Sequence, residues 1–231
     1  MARVHRRRQI SALLFALVIA ILTIFFGQGD NSSLTPLSSD LKRQYFGEKT
    51  ALDVLETIET KGRAPKTGYS RDRFGGDWDK IDGCSVREMI LARDLEKIVR
   101  ADDCSVQSGT LQDPYTGKTI EFVRGLSTSQ LVQIDHVVAL SDAWQKGAQQ
   151  LTEAERTKLA NDPLNLLAVD GSANQQKSDG DASTWLPPNK SFRCQYVARQ
   201  VAVKVKYRLW MTAPEKNTIK NILTKCTESL A

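Results

Sequence analysis

The chain has 231 residues, 41% hydrophobic and 26% charged, a balance ordinary for one globular domain or a small pair. Its formal charge of +5 is no argument for nucleic-acid binding. Four of the 32 basic residues, Arg3, Arg6, Arg7 and Arg8, lie in residues 1–29, which hold no acid; beyond them 28 basic residues face 27 acidic ones.

The arginines precede a run dominated by apolar residues, Ile10 to Phe26. Residues 1–29 therefore read as a signal peptide or an N-terminal membrane anchor, with the arginines on the cytoplasmic side. The run is long for a signal core and short for a span, and export is favoured over retention. Membrane contact is expected only through this segment. Residues 30–44, rich in Ser, Asn and Pro, read as a linker, and the folded part is expected from Tyr45.

Ala51, Leu52, Leu55 and Ile58 recur at helical spacing and predict a helix over 50–59. Residues 61–83 carry five glycines and read as irregular surface. Tyr69, Phe74, Trp78, Asp79 and Asp82 within it either shape a groove or, more simply, pack the loop. Ser85 and Glu88 form a capping-box pattern for a helix running to about Arg100. Arg87 on that helix could reach a phosphate, although a solvated or salt-bridged arginine is the simpler reading. Residues 104–111 and 118–124 flank the turn signal Asp113-Pro114-Tyr115-Thr116-Gly117 and predict a β-hairpin.

After an extended Gln133–Val138, a helix is expected over 138–147, and Thr152 with Glu155 caps another that ends near Asn161. Leu164 to Val169 reads as a short buried strand, and Ser172 as the cap of a helix carrying Asn174 and Lys177. Asp179 and Asp181 then read as helix-exit residues beside Gly180. A long helix is expected over 191–210, with Thr212 capping a last one. From Lys190 to Lys225 basic residues outnumber acids nine to one, Glu215 being the acid. Arg199 and Lys206, with Arg193, form either a basic wall along a phosphate backbone or a solvated helix face.

All four cysteines, Cys84, Cys104, Cys194 and Cys226, follow the leader. An even count in an exported chain predicts two disulfides, and the sequence-local pairing is Cys84–Cys104 with Cys194–Cys226. A four-cysteine zinc site is set aside, because close Cys-x-x-Cys pairs are absent.

The chemistry centres on His136, the one imidazole outside the leader. It follows Asp135 directly, and neighbours on an extended segment point to opposite faces. One can then bind a metal while the other stays a free base. A hard cation such as Mg2+ takes oxygen ligands and keeps several waters, so Asp135 and the Asn174 amide oxygen are a plausible protein share. Imidazole titrates near neutrality and suits a general base, and Lys177 offers a point charge to a phosphate. No Gly-x-Ser-x-Gly elbow, P-loop or dinucleotide fingerprint is present.

Together, Ile134-Asp135-His136-Val137-Val138, Asn161-Asp162-Pro163-Leu164-Asn165-Leu166, Asn174 with Lys177, Asp113–Gly117 and Trp185-Leu186-Pro187-Pro188 resemble HNH nucleases. From about Tyr69 to Cys226 the chain resembles secreted bacterial HNH-family proteins related to the C-terminal nuclease domain of GmrSD-type restriction enzymes. The resemblance implies an α+β fold over 45–231, mainly helical and built around a ββα-metal core at about 131–180, stapled by two disulfides. It implies Asp135 and Asn174 as metal ligands, His136 as general base, and Asn165 as the residue that holds the His136 loop. Lys177, Arg199 and Lys206 become candidate phosphate contacts. The expected cofactor is a divalent metal, Mg2+ before Mn2+. The expected activity is an extracytoplasmic endonuclease on nucleic acid, DNA before RNA. Ala139 stands where many such motifs have proline, and Asn174 where many have histidine; the latter disfavours zinc. The alternative is a non-catalytic surface module that binds nucleic acid or an envelope polymer. It has no need of a lone base beside a metal ligand.

Overall fold

The computed structural model describes residues 34–126 and 128–228, so the leader reading and the first residues of the linker lie outside the described residues. The first helix, α1 (Ser39–Phe46), begins before the expected Tyr45 because the Ser38 hydroxyl accepts from the Leu41 amide. Helix α2 (Ala51–Glu56) follows under a full Thr50/Asp53 capping box. Phe46 and Leu55 anchor these helices in the same core cluster as the later helix residues Tyr196 and Val201.

Strands β1 (Lys80–Ile81) and β2 (Cys84–Ser85) make a minimal hairpin that leads into α3 (Val86–Asp94), capped by Ser85. The expected continuation of α3 to Arg100 is corrected: Leu95–Arg100 is strand β3. Asp94 accepts from the amide of Ala168 at 2.8 Å, and Leu95 pairs with Leu111, so the chain leaves the helix to join a sheet. Strands β4 (Val106–Gln112) and β5 (Thr119–Val123) complete an antiparallel meander with β3. The turn between β4 and β5 is held by Asp113, whose Oδ2 accepts from the Thr116 amide and hydroxyl.

The site rests on a separate antiparallel pair, β6 (Val132–His136) and β7 (Leu166–Asp170). Asp135 pairs with Leu167 and His136 with Leu166. Because side chains alternate along a strand, Asp135, Leu167 and Val169 share one face, and His136, Leu166 and Ala168 share the other. The two faces enter different core clusters: Leu167 and Val169 pack with Tyr115 and Tyr196, whereas Leu166 and Ala168 pack with Val86 and Ile90. Both strands are thus sandwiched, and the carboxylate and the imidazole lie on opposite sides of one strand.

Between β6 and β7 the chain forms α4 (Leu140–Gln145) and α5 (Glu153–Asn161), the latter under a Thr152/Glu155 capping box. Helix α6 (Gly171–Lys177) leaves β7 directly. Its cap is Asp170 rather than Ser172, because Asp170 accepts from the Ala173 amide at 2.7 Å. Helix α7 (Arg193–Lys206) is buried from Tyr196 through Lys204. It stops short of the expected Trp210, because Arg208 adopts φ +54° and the Leu209 amide returns to the Lys204 carbonyl. Helix α8 (Ala213–Glu228) closes the fold. Disulfides join Cys84 to Cys104 and Cys194 to Cys226, the local pairing read from sequence. The result is a mixed α/β fold with two disulfides.

The lone acid of the basic C-terminal stretch has a specific place. Glu215 is fully buried between Lys146 at 2.7 Å and Lys204 at 2.6 Å. Lys146 also pairs with Asp142 and Asp181, and Arg63 reaches both of these carboxylates. Three cations therefore face three anions in an interior cage that ties α4, α7, α8 and the Asp181 loop together. Asp181 follows the exit of α6 as read from sequence, and its side chain is buried in this cage.

Candidate functional site

His136 ends β6 with its imidazole buried. Its Nε2 lies 2.9 Å from the carbonyl of Ala160 at the end of α5. A carbonyl can only accept, so Nε2 carries the proton and Nδ1 keeps its lone pair. Trp78 stacks against the ring, nearly parallel, with centroids 5.8 Å apart. Burial pushes the imidazole pKa down to about 3; the Ala160 carbonyl pulls the other way, and the charges of Arg71 and Lys177 add to the depression. The ring is neutral at neutral pH.

Asn165 fixes the segment just after this histidine. It is fully buried; its Oδ1 accepts from the Val138 amide at 2.8 Å, and its Nδ2 donates to the carbonyls of Val138 and Leu159. The Val137 amide donates to the Asn165 carbonyl, which closes the clasp.

Asp135 is engaged on both oxygens. Lys177 Nζ donates to Oδ1 at 2.9 Å and to the His136 carbonyl at 2.9 Å, and the Tyr115 hydroxyl donates to Oδ2. Burial pushes the Asp135 carboxyl up, against the opposing pull of Lys177 and Tyr115. Lys177 itself is 1% exposed. Sequence reading placed it against a phosphate; instead α6 lies over β6 and turns the ammonium inward.

A cleft of about 480 Å³ is lined by Asp135, His136 and Asn174 together with Lys66, Tyr69, Arg71, Ser141 and Asp179. A smaller cavity of about 240 Å³ lies against His136, walled by Phe74, Trp78, Ala160 and Asn161. Arg71, His136 and Leu140 border both. Asn174 donates from Nδ2 to Gln133 Oε1 at 2.9 Å, which leaves its amide oxygen without a protein partner among the described residues. Each Asp135 oxygen retains a lone pair beyond the donor it already accepts. The candidate ligands, Asp135 and Asn174, offer oxygen alone, the atom type a hard divalent cation takes. No group of three or more His, Cys, Asp or Glu side chains that could hold a metal occurs among the described residues.

Two other candidates lie away from this cleft. Arg199 is 6% exposed and donates to the carbonyls of Pro163, Leu164 and Leu166. It braces the entry to β7, so this residue forms neither a basic wall along a phosphate backbone nor part of a solvated helix face. Lys206 is exposed but pairs with Asp162 at 2.6 Å. Of the seven site residues read from sequence, the cleft collects Asp135, His136 and Asn174, with Asn165 and Lys177 directly behind them.

Tyr115 and Arg71 carry no site role in the sequence, and Trp78, which reads either as groove or as loop packing, lines the smaller cavity. Tyr115 belongs to the Asp113–Gly117 turn and motif, which give it no role in the site, and its hydroxyl reaches Asp135 across 20 positions. Arg71 and Trp78 sit in the glycine-rich segment, where no periodicity marks a direction.

Residues 81–222 match the family described as GmrSD restriction endonucleases, C-terminal domain. An "uncharacterized secreted protein" of the fungus Arthroderma benhamiae is 37% identical over 180 residues, covering 77% of this chain and 85% of that protein. No solved structure matches the chain.

Proposed function

Because the chain belongs to the family of GmrSD restriction endonuclease C-terminal domains, we propose that it is an extracytoplasmic nuclease that hydrolyses phosphodiester bonds. We read β6, β7 and α6 as the ββα unit of the HNH class. The observation that carries the reading is the state of His136: one ring nitrogen bound to the Ala160 carbonyl, the other free, at the wall of a cleft shared with Asp135 and Asn174.

In this reading His136 Nδ1 accepts a proton from a water whose oxygen forms a bond to phosphorus while the P–O3′ bond breaks. A divalent cation on Asp135 and Asn174, Mg2+ or Mn2+, supplies positive charge for the phosphate and the departing oxygen when bound. Lys177 and Tyr115 hold the Asp135 carboxylate in place from behind, and Asn165 keeps the turn after His136 from drifting. The substrate is nucleic acid, DNA before RNA. Two disulfides suit an oxidising compartment, and the fungal relative carries the name of a secreted protein, so export fits the leader.

The test is a digest of labelled DNA and RNA with purified protein, with Mg2+ and with chelator. His136→Ala removes the base and leaves both proposed ligands, so cleavage by protein that circular dichroism shows to be folded should drop by about 10²–10⁴-fold. Equal cleavage by a folded His136→Ala protein would end the general-base assignment. Binding without any cleavage by the wild type would replace the nuclease reading with a binding module.

A further inference from the structure

We propose that Arg71 is the cation that contacts the substrate's phosphate backbone at this site; the assignment rests on the reading of nucleic acid as the ligand. The residue lies upstream of positions 81–222, so the family match assigns it nothing.

Three observations carry it. First, Arg71 borders both cavities that meet at His136, the wide cleft with Asp135 and Asn174 and the smaller one with Trp78. A phosphate spanning the two would pass this side chain. Second, the cations read from sequence as phosphate contacts, and Lys66 of the cleft, already have partners: Arg87 pairs with Glu88 and Arg193 donates to the Pro187 carbonyl. Lys177 holds Asp135, Arg199 holds three carbonyls, Lys206 pairs with Asp162, and Lys66 pairs with Asp179 at 3.1 Å. Arg71 is exposed and makes no side-chain hydrogen bond or ion pair among the described residues. A guanidinium presents paired N–H donors that match phosphate oxygens.

Third, Arg71 stands on a fixed support. It opens a 3₁₀ turn, Arg71–Phe74, that ends on buried Phe74, whose ring meets Tyr69 and Trp144 edge-on. Arg156 on α5 donates to the Arg73 carbonyl at 2.8 Å. Gly75 then takes φ +100° beside Thr157, where an added Cβ would stand 3.0 Å from the threonine methyl. The turn is locked to the helix whose end carries the Ala160 carbonyl, so Arg71 and His136 share one frame.

The test measures binding of fluorescein-labelled oligodeoxynucleotides, single-stranded and duplex, as a function of salt in chelator, alongside cleavage in Mg2+. Loss of one phosphate contact should lower the magnitude of the log K against log salt slope by about 0.9 on duplex or 0.7 on single strand. Arg71→Gln should show that drop with an unchanged urea midpoint, and Arg71→Lys should restore most of it. Lys220→Gln, which removes an exposed cation outside both cavities, should leave the slope alone. An unchanged slope in Arg71→Gln, or a wild type that binds neither probe, overturns the assignment. A wild type that binds with an Arg71-dependent slope but never cuts refutes the nuclease reading and leaves Arg71 standing.

Discussion

Lys177→Met replaces a buried ammonium with an apolar chain of similar length, and its expected effect separates two views of this residue. If Lys177 served the substrate, the change would weaken binding and spare the fold. In the structure Nζ instead donates to Asp135 Oδ1 and to the His136 carbonyl, both at 2.9 Å, with its side chain fully inaccessible. Removing it leaves a buried carboxylate with the Tyr115 hydroxyl and no ion-pair partner. Breaking one side of a buried pair costs about 3–5 kcal/mol. Against a typical domain stability of about 5–15 kcal/mol, that is a large fraction. Equilibrium urea unfolding reads it directly as a lower midpoint with an unchanged slope. The double variant Asp135→Asn/Lys177→Met removes both charges and should be less destabilised than the sum of the single changes, by about 0.5–3 kcal/mol. A Lys177→Met protein within about 0.5 kcal/mol of wild type, the range of ordinary surface substitutions, would refute the interior role.

Arg199→Gln should likewise cost stability, about 2–3 kcal/mol for the carbonyls of Pro163, Leu164 and Leu166 left without their charged donor, and should leave the salt dependence of nucleic-acid binding unchanged; urea unfolding and the salt titration check the two halves. Replacing Cys194 and Cys226 by serine opens a 32-residue loop and should cost about 3–4 kcal/mol in the chain-entropy model, read as a lower urea midpoint. Stability should fall with pH from about 6.5, where the depressed His136 imidazole begins to cost, and most steeply below about pH 4, where two buried carboxylates add to it. Burial alone would push the Asp181 carboxyl up, but hydrogen bonds from Lys146 and Ser183 more than reverse this and hold it below the ordinary range. Burial opposes in the same way at Glu88, where the Val106 amide and Arg124 prevail. Both groups titrate lower in the folded state, so their contribution is complete above the ordinary carboxylate range and disappears as pH falls through the depressed values. Urea midpoints at pH 7, 5, 4 and 3 should therefore fall most in the last interval, and a flat profile would refute the account.

Much of the fold was legible because its signals are local. The Thr50, Ser85 and Thr152 caps start helices where the sequence put them, and Asp113–Gly117 turns a hairpin. The alternation that puts Asp135 and His136 on opposite faces is a property of any strand. What was not legible depended on long-range partners. The pattern of residues 95–100 fits a helix, yet strand pairing with β4 and the Asp94–Ala168 bond decide otherwise. The helix over residues 171–177 took its cap from Asp170 because that side chain, and not the hydroxyl of Ser172, faces the Ala173 amide.

Charge was the least legible quantity of all. The C-terminal stretch reads as a basic surface, but Lys204 lies in the cage with Glu215, and Arg199 is turned onto carbonyls. Lys146 and Lys177 are also interior, so several of the cations that looked free for a polyanion are consumed by the fold. The same accounting gives Arg71 its weight. Beyond residue 29 the charge is nearly balanced, so an exposed arginine with no side-chain partner among the described residues, on both cavities that border His136, is more informative than any count of basic residues. Its support comes from α5, and so does the carbonyl that sets the His136 tautomer. Helix α5 thus supports both the turn that carries Arg71 and the His136 ring, so the proposed phosphate contact and the proposed proton acceptor would share one frame.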